Sequence, residues 1–454
     1  MRDRGHDDRV TAWLQRHAVA VFALAAVASS LLIVWLGLGL TFFSDEWAFI
    51  ERRALGDPST WLAPHNEHWS TIPIIVYRGL VETVGLRSYV PYLAVLLALH
   101  VACATLVFIL LRRSSGPIIA LGGSVVVLVF GSGFENLYWG FQIGFVGSMV
   151  LGLAMLAVLD GPATSRSIAA VVTLLVANLM TSGIGLTFLF IAAVELSLRS
   201  GWRRALPLLV LPAGTYLAWY LAFGSMGIRT HGDPFTIEAA VAIPGVVSAG
   251  IMWMLGSITG LTGPLAFVVA AGVVVLVARR GRLIPTRFVA LAAGIIVQYA
   301  IIALAGARAA EGQAYFSRYT YLTGILAVVA LGALIGRPRL PASGPFRAFV
   351  VAASAVVLVL ALGLNLTLLV QGRELLAERA MTTRALVTVA LEPALPPGVD
   401  PSRSLVLVPS PESLRQIVAT YGSPLDDVLA PWSVEPVSEG ALEEARRRAV
   451  GPGP

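Results

Sequence analysis

Asp45 and Glu46 stand side by side in Phe42-Phe43-Ser44-Asp45-Glu46-Trp47, directly after a long apolar run. Adjacent carboxylates can divide labour, one taking a proton from a nucleophile while the other holds a metal or a substrate. Three aromatic rings bracket them, and aromatic residues concentrate at membrane–water interfaces. A solvated acidic cap at the mouth of a membrane helix has the same composition. Asp45 and Glu46 are the candidate catalytic pair.

Three further stretches carry polar chemistry. His65-Asn66-Glu67-His68-Trp69 packs two imidazoles and a carboxylate into four residues. A divalent metal is one ligand for His65, Glu67 and His68, but the spacing is tighter than the H-E-x-x-H pattern that sets two histidines on one helix face. Holding a sugar or phosphate is the stronger expectation, with plain loop polarity as the alternative. Glu135-Asn136-Leu137-Tyr138-Trp139-Gly140-Phe141-Gln142 mixes rings with acid and amide groups. Glu135, Trp139 and Gln142 suit sugar stacking and hydroxyl hydrogen bonds, against the alternative of an interfacial aromatic belt. Ser317-Arg318-Tyr319 enters a late apolar run. An arginine at that depth either snorkels to headgroups or meets an anion, and a guanidinium matches phosphate bidentately. Arg308, His231 and Asp233 are weaker candidates. His100, Asn178, Glu195 and Gln298 lie in or near apolar runs and read as helix-packing polar groups.

The elements that must position these residues follow from composition. Of 454 residues, 57% are hydrophobic and 13% charged, against about 25% charged in soluble domains. Mean hydropathy is +0.81. Apolar runs at 18–40, 89–111, 116–131, 142–159, 167–182, 184–198, 205–223, 261–278, 287–306, 319–336 and 347–370 give about eleven expected membrane helices. The expected fold class is therefore an all-α polytopic membrane protein. With the N-terminal tail, 1–17, in the cytoplasm, Arg112–Arg113, Arg166, Arg199–Arg203–Arg204, Arg279–Arg280–Arg282 and Arg337–Arg339–Arg347 all fall on the inner side, as the positive-inside rule requires. A twelfth span over 235–260 would break that pattern. Pro244 and several glycines interrupt this stretch, which reads as an interfacial or re-entrant helix pair.

The outer side then collects 41–88, 132–141, 224–260, 307–318 and the tail from 371. Ile72, Ile75, Val76, Leu80 and Val84 recur at helical spacing after Ser70 and Pro73, so 71–88 reads as an amphipathic helix lying on the membrane; 46–55 is a second candidate. The tail, 371–454, reads as a small α/β outer domain. It has helix over 372–391, a strand at 404–408, and a helix opened by Ser410-Pro411-Glu412 and closed near Gly422. Its last dozen residues read as disordered. The net charge of +6, all 32 basic residues being arginine, follows membrane orientation, so no nucleic acid is expected as a partner. Cys103 is the single cysteine and can form no internal disulfide. No phosphate-binding loop or dinucleotide fingerprint is present, and no internal repeat of the inverted-repeat transporter kind.

Taken with this layout, the chain resembles the membrane-embedded C-type glycosyltransferase superfamily. The shared features are an acidic pair just past the first span, here Asp45-Glu46, an amphipathic helix in a long first outer loop, here 71–88, and an Arg-Tyr element opening a late span, here Arg318-Tyr319. An outer tail also fits. The resemblance covers the whole architecture but rests on these few residues. It implies a multi-pass cell-membrane enzyme with its active face outside. A polyprenyl-phosphate-linked sugar would be the donor and a cell-envelope glycan or lipid the acceptor. Asp45 would act as base and Arg318 as holder of the donor phosphate. The Ala, Gly, Val and Arg content is similar to that of high-GC actinobacterial chains. A flippase of lipid-linked glycans and a non-catalytic membrane scaffold are the competing classes.

Overall fold

The computed structural model describes residues 4–51, 53–54, 56–227, 236–305, 315–338, 344–405 and 407–450. Eight described helices are long and apolar enough to cross a bilayer. The first is α1, Arg4–Gly37. Its Ala18, Phe22, Ala26 and Ile33 are buried, while Leu24, Val27, Leu31 and Trp35 on the other face are exposed, as a helix at the rim of a membrane bundle requires. After it come three short helices, α2 (Asp45–Glu51), α3 (Pro58–Leu62) and α4 (Thr71–Val84).

The bundle continues with α5 (Val90–Ser114), α6 (Pro117–Leu128), the single turn α7 (Glu135–Tyr138), α8 (Ile143–Leu159) and α9 (Ser165–Leu179). Then follow α10 (Ile184–Ser200), α11 (Trp202–Ala222), α12 (Ile237–Thr259), α13 (Leu265–Arg280) and α14 (Thr286–Ala305). It closes with α15 (Ser317–Ile335) and α16 (Pro345–Leu391). Every expected span coincides with a helix. The expected count of eleven is nonetheless unsupported, because α6, α9, α10 and α13 hold only 12 to 17 residues each. The stretch read as a helix pair is instead the single helix α12, with Pro244 inside it. Neighbouring helices and local adjustment re-satisfy the backbone group that such a proline frees. The carbonyl of Ser257, near the end of α12, accepts from Asn365 Nδ2 at 2.8 Å, and Asn365 Oδ1 accepts from Ser132 N at 3.0 Å. The C-terminal end of α12 therefore lies at the end of the bundle that carries the α6–α8 connection.

Two expectations about outer elements need correction. The helix over 71–84 forms, with Pro73 in its first turn, but its inward face is Ile74, Tyr77, Arg78 and Val81. Ile75 and Val84 point outward, 39% and 46% exposed. The helix thus turns a mixed face to the protein, Tyr77 and Arg78 together with Ile74 and Val81, and leaves Ile75, Glu82, Thr83 and Val84 exposed. That arrangement holds because Arg78 Nη1 donates to Ile50 O at 2.7 Å and Tyr77 finds Glu46.

The tail holds no strand among the described residues, so the α/β expectation finds no support. Leu405 and Val408 are buried, but no second strand lies beside them. One backbone bond, Ser44 N to Leu407 O at 2.9 Å, is what this segment contributes. Helix α16 runs 47 residues without a break, roughly 70 Å at 1.5 Å per residue. The boundary expected at 370 therefore falls inside a helix. Helix α17 (Pro411–Tyr421) begins where expected, Ser410 capping Ser413 N, and ends at Gly422. The last residues also form a helix, α18 (Glu439–Val450). Ala445 and Ala449, four apart, are buried in it, and Glu444 pairs with Arg447 and Arg448 along it.

Candidate active site at the first-loop end

Asp45 is the first residue of α2, and the preceding Ser44 sits at φ +56°. Left-handed backbone is strained for serine; the bond from Ser44 N to Leu407 O pins it. An acid at a helix N-terminus is favoured by the helix dipole. The Asp45 side chain is 38% exposed, and its Oδ1 lies 3.8 Å from His65 Nε2. Burial pushes the Asp45 carboxyl above its usual value, and the positive charge of Arg318 pulls against that shift. Asp45, His65 and Arg318, far apart in sequence, thus share one neighbourhood.

Glu46 points the other way and is fully buried. Its carboxylate accepts from Phe43 N at 2.9 Å, from the Tyr77 hydroxyl at 2.8 Å and from the Tyr89 hydroxyl at 2.9 Å. Burial raises its pKa to about 7 against the pull of these donors. A carboxylate saturated by the protein's own donors cannot also reach a substrate, so Glu46 positions α2 and is not the second catalytic acid. Gly140 explains itself here. A β-carbon there would stand 2.9 Å from Glu46 Oε1 and 3.1 Å from the Tyr89 hydroxyl.

The 65–68 turn is an isolated antiparallel bridge, His65 N to His68 O at 3.0 Å and the reverse at 2.9 Å. Arg53 holds its approach, donating to Ala63 O and Pro64 O at 2.8 Å each. His65 is buried between Phe49 and Phe141, with ring centroids 4.9 and 5.2 Å away. His68 is exposed and lies against Gly183. The two imidazoles diverge. Among the described residues no group of three His, Cys, Asp or Glu side chains comes together to hold a metal ion, so the expected His65, Glu67 and His68 ligand set does not assemble.

The aromatic loop arrives from the α6–α8 connection. Trp139 stacks on Phe43 at 4.8 Å and 15°. Glu135, expected to bind sugar, instead caps α15: its Oε2 accepts from the Ser317 hydroxyl at 2.7 Å and from Arg318 N at 3.3 Å. Asn136 Nδ2 donates to Arg318 O at 3.2 Å. These bonds fix Arg318 at the mouth of the bundle. Its guanidinium lies over Phe316 and Tyr319, 5.1 and 5.4 Å from the ring centroids, and makes no ion pair among the described residues. Gln142 is wholly buried with both amide atoms unpartnered, and the Trp47 indole N–H and the Tyr138 hydroxyl are unpartnered too, whereas the Trp139 indole is turned toward Glu46. Buried polar atoms are normally paired, so Gln142 stands out in this loop.

Arg373 and Arg379 went unrecognised in the sequence. Both ride on the upper half of α16. Arg379 lies 5.9 Å from the Phe43 ring and 4.0 Å from Glu135, and the charge of Arg373 acts on the Tyr138 hydroxyl. The one available signal was helical periodicity running on past the last apolar residue. His231, Asp233 and Arg308 lie outside the described residues. A cavity of about 260 Å³ opens at the opposite end of the bundle, beside Asp160, Arg199 and Arg287, but its charges are already paired with one another. Comparison with protein-family models, with curated proteins and with solved structures returned no match.

Proposed function

We propose that the chain is an integral-membrane glycosyltransferase. It moves a sugar from a polyprenyl-phosphate donor to a hydroxyl of a cell-envelope glycan or lipid acceptor, with the Asp45 end facing away from the cytoplasm. The observation that carries this reading is that Asp45 and Arg318 stand at one mouth of the membrane helices: Glu135 accepts from Arg318 N and lies 4.0 Å from Arg379, whose guanidinium lies over the Phe43 ring two residues before Asp45, and the Arg318 guanidinium has no ion-pair partner among the described residues. The acceptor oxygen bonds to the anomeric carbon while Asp45 takes its proton. The bond from that carbon to the phosphate oxygen breaks, and its electron pair leaves with the lipid phosphate. Arg318 meets the charge that grows there, since a guanidinium matches phosphate oxygens in pairs. Arg373 and Arg379 add positive charge nearby. Burial makes Asp45 a stronger proton acceptor than a free carboxylate, and proton transfer by a placed side chain is worth roughly 10²–10⁴-fold.

Polar groups inside the bundle are tied to one another: His100 to Tyr321 at 2.8 Å, Thr187 to Gln298 at 2.6 Å, and Asn178 to Ser148. That pairing favours chemistry at the end of the bundle over passage of a glycan through it. The test is transfer by the purified protein reconstituted with polyprenyl-phosphate sugars. Arg318→Ala should weaken donor binding as well as turnover. A wild-type protein that forms no glycoside, yet moves the donor between leaflets, would overturn the reading.

A further inference from the structure

The C-terminal segment presents an apolar tip to its surroundings. Val428, Leu429 and Trp432 are 59%, 56% and 77% exposed, close together in sequence on a turn that is not floppy. The buried Asp427 carboxylate accepts from Leu429 N and Ala430 N, both at 3.0 Å, and Pro431–Ser433 forms a helical turn. An ordered surface turn with three large apolar side chains outward is a binding surface by default.

Its depth tells what it binds. Val428 N donates to Arg87 O at 2.9 Å, three residues before α5 enters the membrane. On the other flank the Ser433 carbonyl fills the space beside Gly39, at φ +81°, where a β-carbon would collide with it. Gly39 lies two residues past the end of α1, and Thr41 Oγ1 donates to Pro424 O at 3.2 Å. The turn is therefore pinned to the ends of two membrane helices, at the level where hydrocarbon gives way to headgroups. The exposed face of α1 reaches this level through Trp35, 68% exposed, and tryptophan is enriched there. The charges within the turn itself are Asp426 and Asp427, and the exposed Arg87 lies beside Val428, so the apolar side chains and not a cation of the turn are what it offers a bilayer.

We propose that the 428–432 turn is a membrane-interface anchor. Val428, Leu429 and Trp432 enter the boundary between headgroups and acyl chains, and so hold the C-terminal segment down over the first loop. This proposal stands apart from the transferase reading. The test uses the full chain in phosphatidylcholine proteoliposomes, with a nitroxide on Leu429→Cys and, for comparison, on Glu443→Cys, an exposed position of α18. Native Cys103 is fully buried, and wild type checks that it takes no label. The ratio of collision with oxygen to collision with a water-soluble nickel chelate should be several-fold higher at 429 than at 443. Trp432→Ser should lower the ratio at 429. Equal ratios would place the turn in water and overturn the proposal. Low access to both reagents would place it against protein, a second copy included, and overturn it too. A high ratio that needs anionic lipid also overturns it, because the hold would then come from the neighbouring Arg87 and not from the three apolar side chains.

Discussion

The two ends of this helical bundle treat charge in opposite ways. At one end Arg287 donates to both oxygens of the buried Glu195, at 2.9 and 2.8 Å, and to Asp160 at 3.0 Å. Arg199 and Arg113 close the same cluster, which ties α5, α8, α10 and α14 together. At the other end Asp45 and Arg318 feel each other without an ion pair, and Tyr138 and Gln142 keep unpartnered polar atoms. A buried charge is costly unless paired. A saturated cluster is therefore a structural tie, and an unsaturated one is left open for something that arrives later. The cavity of about 260 Å³ beside the paired cluster does not change that, since its charged lining is already engaged.

The sharpest way to break this comparison is to remove one charge from each end. Asp45→Asn keeps the shape and removes the base. Transfer in the reconstituted assay should fall roughly 10²–10⁴-fold with the thermal midpoint unchanged. Near-full transfer would end the assignment of Asp45. Arg287→Leu leaves the buried Glu195 with Arg199 as its remaining ion-pair partner, so thermal or denaturant unfolding should show a clear loss of stability, below the roughly 3–5 kcal/mol of a wholly unpaired buried charge. Turnover per folded molecule should stay at the wild-type level. If the Arg287 variant loses chemistry and the Asp45 variant loses stability, the two ends have been read the wrong way round.

A smaller effect concerns Glu46. Burial lifts its carboxyl from 4.5 to about 7, so the folded protein holds this proton more tightly than the unfolded chain does. Its contribution to stability is complete below pH 4.5 and is lost as the pH rises through 7. The wild-type thermal midpoint should fall across that window, and Glu46→Gln should flatten the profile. An unaltered slope in the variant would show that other groups set it. The least effect is expected from Arg379→Ala. This side chain is 41% exposed, and a surface cation over a ring is worth about 0.5–1 kcal/mol. Donor affinity should drop a few-fold, against no change for Arg448→Ala on α18.

Much of the first-loop end was legible in the sequence because chemistry and position coincide there. The acids follow an apolar run, and Arg318 opens another, so both had to lie at the ends of membrane helices. Glu46 and Glu135 were legible as acids but not as occupied ones. Nothing local says that Tyr77, Tyr89 and Phe43 saturate the first, or that the second caps α15. Arg373 and Arg379 were missed because the change in composition near 370 resembles a domain boundary, whereas the backbone hydrogen bonds of α16 run straight through it.

The sequence by itself determined the helical membrane class, the helix starts at Pro73 and Ser410, and the ends at which arginine collects. Each of these follows from local periodicity, capping chemistry or the cost of charge in hydrocarbon, and needs no partner. The tertiary structure alone decided which face of α4 turns inward, because Tyr77 and Arg78 need hydrogen-bond partners that the distant Glu46 and Ile50 supply. It also left the described residues of 404–408 outside any strand, since a strand exists only beside another. And it alone brought Asp45 to Arg318 across 273 residues of chain, a meeting of helix ends that no local pattern encodes.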